Sequence, residues 1–118
     1  MDRFWFALGA LAGLGAVALS AAAAHMHLDP AATTALRDAV QMQGWHALAL
    51  LVCGIKGGRW CNFAGWFFTL GLLAFCGAVY ARIFWHGLPV SNVAPFGGVM
   101  LMIGWAMLFV AALKRRGR

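Results

Sequence analysis

The sequence is poor in acid. Three Asp and no Glu occur in 118 residues, and charged residues of both signs make up only 10% of the chain. Soluble domains carry about 25% charged residues, and a small domain needs relatively more of them because it has more surface per unit volume to cover. A soluble globular enzyme, a disordered tail and a disulfide-stapled secreted module are therefore excluded. Asp2, Asp29 and Asp38 all lie at the rims of apolar runs. They form no paired-carboxylate site, and neither a phosphate loop nor a nucleophile elbow is present, so hydrolytic and phosphoryl-transfer chemistry have no equipment. Cysteine is also scarce. Cys53, Cys61 and Cys76 lack the spacing of a structural metal site, and a haem held between His25 and His46 would need two ligands at different depths. No metal, no cofactor and no enzymatic activity are expected.

What the sequence has in abundance is apolar surface, at 64% of residues and a mean hydropathy of +0.81. A helix needs about 20 residues to cross a bilayer, so the chain has room for four crossings and short loops. The fold class expected is an all-α, polytopic membrane four-helix bundle, a single transmembrane domain over 1–118. Its spans fall at about 4–25, 38–55, 61–85 and 95–113. The first run also imitates a signal peptide, but its length suits a full span and it is expected to be retained. Asp29-Pro30 reads as an N-cap followed by a first-turn proline, which predicts a short outer helical extension over about 30–38. Lys56-Gly57-Gly58-Arg59 reads as a tight basic turn, and 86–94 as a loop.

Nine Lys and Arg give a net charge of +6. Their placement argues for topology signals rather than nucleic-acid binding. Arg3, Lys56, Arg59, Lys114, Arg115, Arg116 and Arg118 fall on one side of the four spans, and only Arg37 and Arg82 on the other. The positive-inside rule then puts both termini in the cytoplasm of a cell with this protein in its inner (plasma) membrane. The partners expected are membrane lipids, another membrane protein or a second copy of the chain. Small residues, including Gly9 and Gly13, are expected to let the helices approach closely within the bundle.

Polar groups in hydrocarbon are costly and usually face the bundle interior. His25, Gln43, His46 and Tyr80, with Pro95, Gly97 and Gly98 in the first turn of the fourth span, all fall in the outer half by this reading. Gln43 and His46 share a helix face. Two roles are open to the cluster. It can be interhelical glue that fixes register, or a pocket for a small polar ligand, a lipid or quinone headgroup, or a proton.

Four segments carry a family resemblance. They are SAAAAH ending at His25, AVQMQGWHALALL from Ala39 to Leu51, FCGAVY from Phe75 to Tyr80, and APFGGVMLMIGWAML from Ala94 to Leu108. Together they resemble the small four-span membrane proteins known as the domain of unknown function 423 family, which is similar to the vertebrate transmembrane protein 256. Alanines stand in the first segment where the family usually has the glycines of GAFGAH. Cys76 and Ala78 stand where it usually has serine and glycine, and Ala94 where it has threonine. The resemblance implies a four-helix inner-membrane protein and no particular activity. The function expected is a non-enzymatic accessory, scaffold or lipid-interacting bundle. The alternative is a binding or transport protein built on the polar cluster.

Overall fold

A computed structural model describes residues 2–85 and 93–114. It consists of four helices in chain order: α1 Arg3–His25, α2 Pro30–Lys56, α3 Arg59–Phe84 and α4 Val93–Leu113. The 86–92 loop and the tail residues Arg115, Arg116 and Arg118 lie outside the described residues. Local chemistry sets the boundaries. Asp2 caps α1 by accepting from the Phe4 N–H at 3.0 Å, and Asp29 caps α2 through the Ala32 N–H at 2.7 Å with Pro30 behind it. Such caps satisfy backbone donors that a helix start leaves free. Gly57 and Gly58, at φ 69° and 97°, turn the chain from α2 into α3 through backbone angles that side chains disfavour. The outer extension and the second span are one unbroken helix, and α4 starts at Val93, two residues ahead of Pro95.

Among the described residues, three helices are long and apolar enough to cross a membrane: α1, α3 and the Pro95–Leu113 stretch of α4. The second element, where a span over about 38–55 is expected, does not qualify by composition. With 27 residues it has the length, but it carries Arg37, Asp38, Gln41, Gln43 and His46.

The helices form two tightly packed hairpins, α1 with α2 and α3 with α4, which join along α2 and α3. Each hairpin closes on a glycine. A Cβ at Gly54 would lie 2.6 Å from the Phe6 backbone N, and one at Gly97 would lie 2.5 Å from the Phe75 N. Gly9 is buried against Ala47 and Leu50 of α2, so the Gly9–Gly13 pair serves packing within the chain. Lipid tails give helices no hydrophobic reason to associate, and such close backbone contact supplies dispersion energy instead. Two aromatics fill what the glycines leave open. Trp5 is buried on Gly65 of α3 and donates its indole N–H to Asn62 Oδ1 at 2.9 Å. Phe68 is buried on Gly104 of α4.

The basic residues gather at one end. The Asp2 N–H donates to the Gly54 carbonyl at 2.6 Å, which brings Arg3 to the foot of α2 beside Lys56 and Arg59. Lys114 at the end of α4 sits 5.6 Å over the ring of Trp60 at the start of α3. His25, Arg37 and Arg82 belong to the opposite end.

Gly54→Ala is expected to lower the melting temperature in detergent, because its methyl would meet backbone and the hairpin must open. The expected cost is about 1–3 kcal/mol. Gly98→Ala, whose added carbon meets nothing within 4 Å, is expected to leave stability unchanged or raise it.

Candidate functional site

The polar side chains expected inside the bundle are carried mainly by α2, and each finds its partner on another helix or on its own backbone. Gln43 is the middle residue of α2. Its Nε2 donates to the Ala12 carbonyl of α1 at 2.9 Å, and its Oε1 accepts from the Tyr80 hydroxyl of α3 at 2.8 Å. A carbonyl only accepts, so the Ala12 contact fixes which end of the amide faces α1. One side chain thereby ties three helices together. A turn away along α3, the Cys76 thiol donates to the Ala39 carbonyl at 3.2 Å.

His46 faces the other way. It is 2% exposed and wedged between Phe68 of α3 and Trp105 of α4, with ring centroids at 5.4 and 5.7 Å. Trp105 Nε1 donates to His46 Nε2 at 2.9 Å, and His46 Nδ1 lies 2.6 Å from the Met42 carbonyl. An indole N–H can only donate and a carbonyl can only accept. The ring is therefore neutral, with its proton on Nδ1 and its Nε2 lone pair occupied. Neither nitrogen is left for a metal or a ligand.

The sequence-predicted cluster thus separates. Gln43 and Tyr80 are joined on the α1–α3 side, and His46 pairs with Trp105 on the α4 side. His25 is exposed at the end of α1, and Pro95 is exposed in the first turn of α4. Gly97 is buried in the α3–α4 crossing, and Gly98 faces open space. Gln43 is the middle residue of α2, and His46 lies just under a turn further toward its basic end. Trp105 was missed as a partner. The available signal was chemical: a buried neutral histidine needs a donor, and Trp105 is the one indole on α4.

A cavity of about 230 Å³ lies beside the Gln43–Tyr80 pair, between α1 and α3 and over α2. Its wall is mostly aliphatic, with Leu8, Ala12 and Leu72, and includes Gln43, Thr69 and Tyr80. His46 and His25 do not line it.

A protein-family model described as "Protein of unknown function (DUF423)" matches residues 14–98. The UPF0382 membrane protein SAB0533 of Staphylococcus aureus (strain bovine RF122 / ET3-1) is 31% identical, over 98% of this chain and 99% of its own. The UPF0382 inner membrane protein YgdD of Escherichia coli (strain K12) is 31% identical, over 98% of this chain and 95% of its own. No solved structure matches the chain.

A double-mutant cycle reads the two polar pairs separately. His46→Leu with Trp105→Phe is expected to show a coupling energy on the order of 1 kcal/mol in thermal or denaturant unfolding, the scale of interhelical hydrogen bonds in membranes. Gln43→Leu with Trp105→Phe is expected to be additive, since those side chains share no partner.

Proposed function

The chain belongs to the DUF423 family of proteins of unknown function, relatives of which are membrane proteins, and on that premise we propose that it is a non-enzymatic accessory or scaffold protein. It crosses the inner membrane four times and holds membrane partners through its apolar exterior. The observation that carries this reading is the division of labour between inside and outside. Gln43, His46, Cys76 and Tyr80 are engaged in bonds within the bundle. The exterior presents large apolar side chains along the helices, with Leu14, Val17, Leu73 and Phe109 each about two-thirds exposed. A surface of that kind suits acyl chains and other helices.

Crossing by α2 is supported by the partners its polar side chains find inside the bundle, since an intramembrane polar group is tolerable when it faces the interior and is bonded there. Orientation is supported by charge. Arg3, Lys56, Arg59 and Lys114 close one end, and Arg115, Arg116 and Arg118 extend that tail in sequence, against Arg37 and Arg82 at the other. The positive-inside rule reads the richer end as cytoplasmic.

A C-terminal green fluorescent protein fusion is expected to fluoresce and a C-terminal alkaline phosphatase fusion to be inactive. The reverse pattern contradicts the orientation. Native mass spectrometry after purification in mild detergent is expected to find a stoichiometric protein partner, a second copy or bound lipid. A bare monomer from every preparation contradicts the accessory role.

A further inference from the structure

We infer that the outward face of α2 is a binding site for one glycerophospholipid, its phosphate held by Arg37, Gln41 and Ser20 and an acyl chain laid in the groove between α2 and α4. The inference rests on the membrane reading above and gives its lipid partner a place. Two clefts on that face support it, and they lie in line. The first, of about 520 Å³, lies between α1 and α2 toward the end opposite the basic residues. Ser20, Ala23 and Ala24 of α1 form one wall, and Arg37, Val40 and Gln41 of α2 the other. Ser20, Arg37 and Gln41 are all exposed. The small α1 residues leave room for a guest. The guanidinium, amide and hydroxyl together offer a positive charge and several N–H and O–H donors. A phosphate matches that set, since arginine takes phosphate through two parallel N–H bonds.

Charge and the order of residues along the helix select the ligand. No acid lines this cleft, whereas the cleft beside Arg82 at the same end includes Asp29. Asp38, next to Arg37 in sequence, is turned about 100° further round the helix. An anion is therefore favoured at Arg37. The second cleft, of about 490 Å³, is apolar and lies between α2 and α4. Trp45, Leu48, Ala49 and Val52 wall it on one side, and Trp105 and Leu108 on the other. Trp45, Leu48 and Val52 are each about half to two-thirds exposed. With Arg37 and Gln41 they fall within about a quarter of the circumference of α2, at 3.6 residues per turn. The steps from Arg37 to Gln41 and from Gln41 to Trp45 are about 6 Å each along the axis. The face thus passes from cation to amide to indole to aliphatic. A phospholipid passes from phosphate through ester carbonyls to hydrocarbon over a similar distance, since the polar layer on each side of a bilayer is about 5–8 Å thick.

Exposed side chains test the site without dismantling the bundle. Arg37→Gln removes the charge at the head, and Trp45→Ala removes a wall of the tail groove. Arg82→Gln removes a charge at the same end but outside both clefts. All three are expected to leave the unliganded protein folded, because surface substitutions of this kind change stability little. The full-length protein, stripped of lipid in detergent, is titrated with dioleoylphosphatidylglycerol. Dioleoylglycerol, which has the chains without the phosphate, and glycerol phosphate, which has the phosphate without the chains, are the controls. Binding is read as a saturable rise in melting temperature. The expected result is a rise with the phospholipid alone. Its affinity is expected to fall about tenfold in Arg37→Gln, the effect of one lost charge-assisted hydrogen bond, to fall also in Trp45→Ala, and to be unchanged in Arg82→Gln. An equal response to dioleoylglycerol or to glycerol phosphate overturns the inference. So does undiminished binding by Arg37→Gln or by Trp45→Ala, or an equal loss in Arg82→Gln. The absence of any response from a protein that still purifies with a protein partner or a second copy overturns this inference and leaves the accessory role standing.

Discussion

A helix that turns an amide and an imidazole into a packed, apolar bundle has to find their hydrogen bonds among its neighbours, and α2 is such a helix. Water cannot satisfy those groups there, and leaving them bare is expensive. The solution is to surround α2. Its Gln43 reaches a carbonyl of α1 and a hydroxyl of α3, and its His46 takes an indole proton from α4. The other three helices supply most of the apolar surface, and α2 supplies most of the specificity. Each interhelical bond contributes little, about 0.6 kcal/mol on average in membrane bundles. The set nevertheless selects one arrangement, because sliding or rotating any neighbour leaves a donor or acceptor of α2 unmet.

Close packing and polar bonding divide the work between them. Within each hairpin the helices touch through glycine: Gly9 and Gly54 between α1 and α2, Gly71 and Gly97 between α3 and α4. Between the hairpins, where α2 meets α3 and α4, the specific contacts are the Cys76, Tyr80 and Trp105 hydrogen bonds. Glycine contacts bring helices together without choosing a partner. Directed hydrogen bonds choose. The cavity beside Gln43 lies between α1 and α3 and over α2, and nearer the basic end Trp5 bridges α1 to α3 through Asn62.

Much of this was legible in the sequence. Apolar runs of spanning length, the Asp29-Pro30 helix start, the Gly57-Gly58 turn and the basic residues at alternate helix ends all express local rules, and local rules survive folding. The membrane family was legible too, in the Gln43–His46 and Pro95–Trp105 segments. The grouping of the polar residues was not. Spacing showed that Gln43 and His46 share a face of α2, but that face is wide enough to meet α1 and α3 at one position and α4 at the next. His25 and Pro95 were grouped with Gln43 by their expected placement toward the outer side, yet both are exposed, and only tertiary contact separates them.

The central claim is that the polar groups of α2 are fixed by their neighbours, and His46 reports it most directly. Its two ring nitrogens have opposite roles, donor at Nδ1 and acceptor at Nε2, set by Met42 and Trp105. Nitrogen NMR of histidine-labelled protein in lipid nanodiscs distinguishes these states, with the His46 signal assigned by its loss in His46→Asn. The account predicts a neutral ring protonated at Nδ1, with Nε2 shifted by an accepted hydrogen bond that disappears in Trp105→Phe. A ring protonated at Nε2, a doubly protonated ring, or an Nε2 signal indifferent to Trp105→Phe would contradict it.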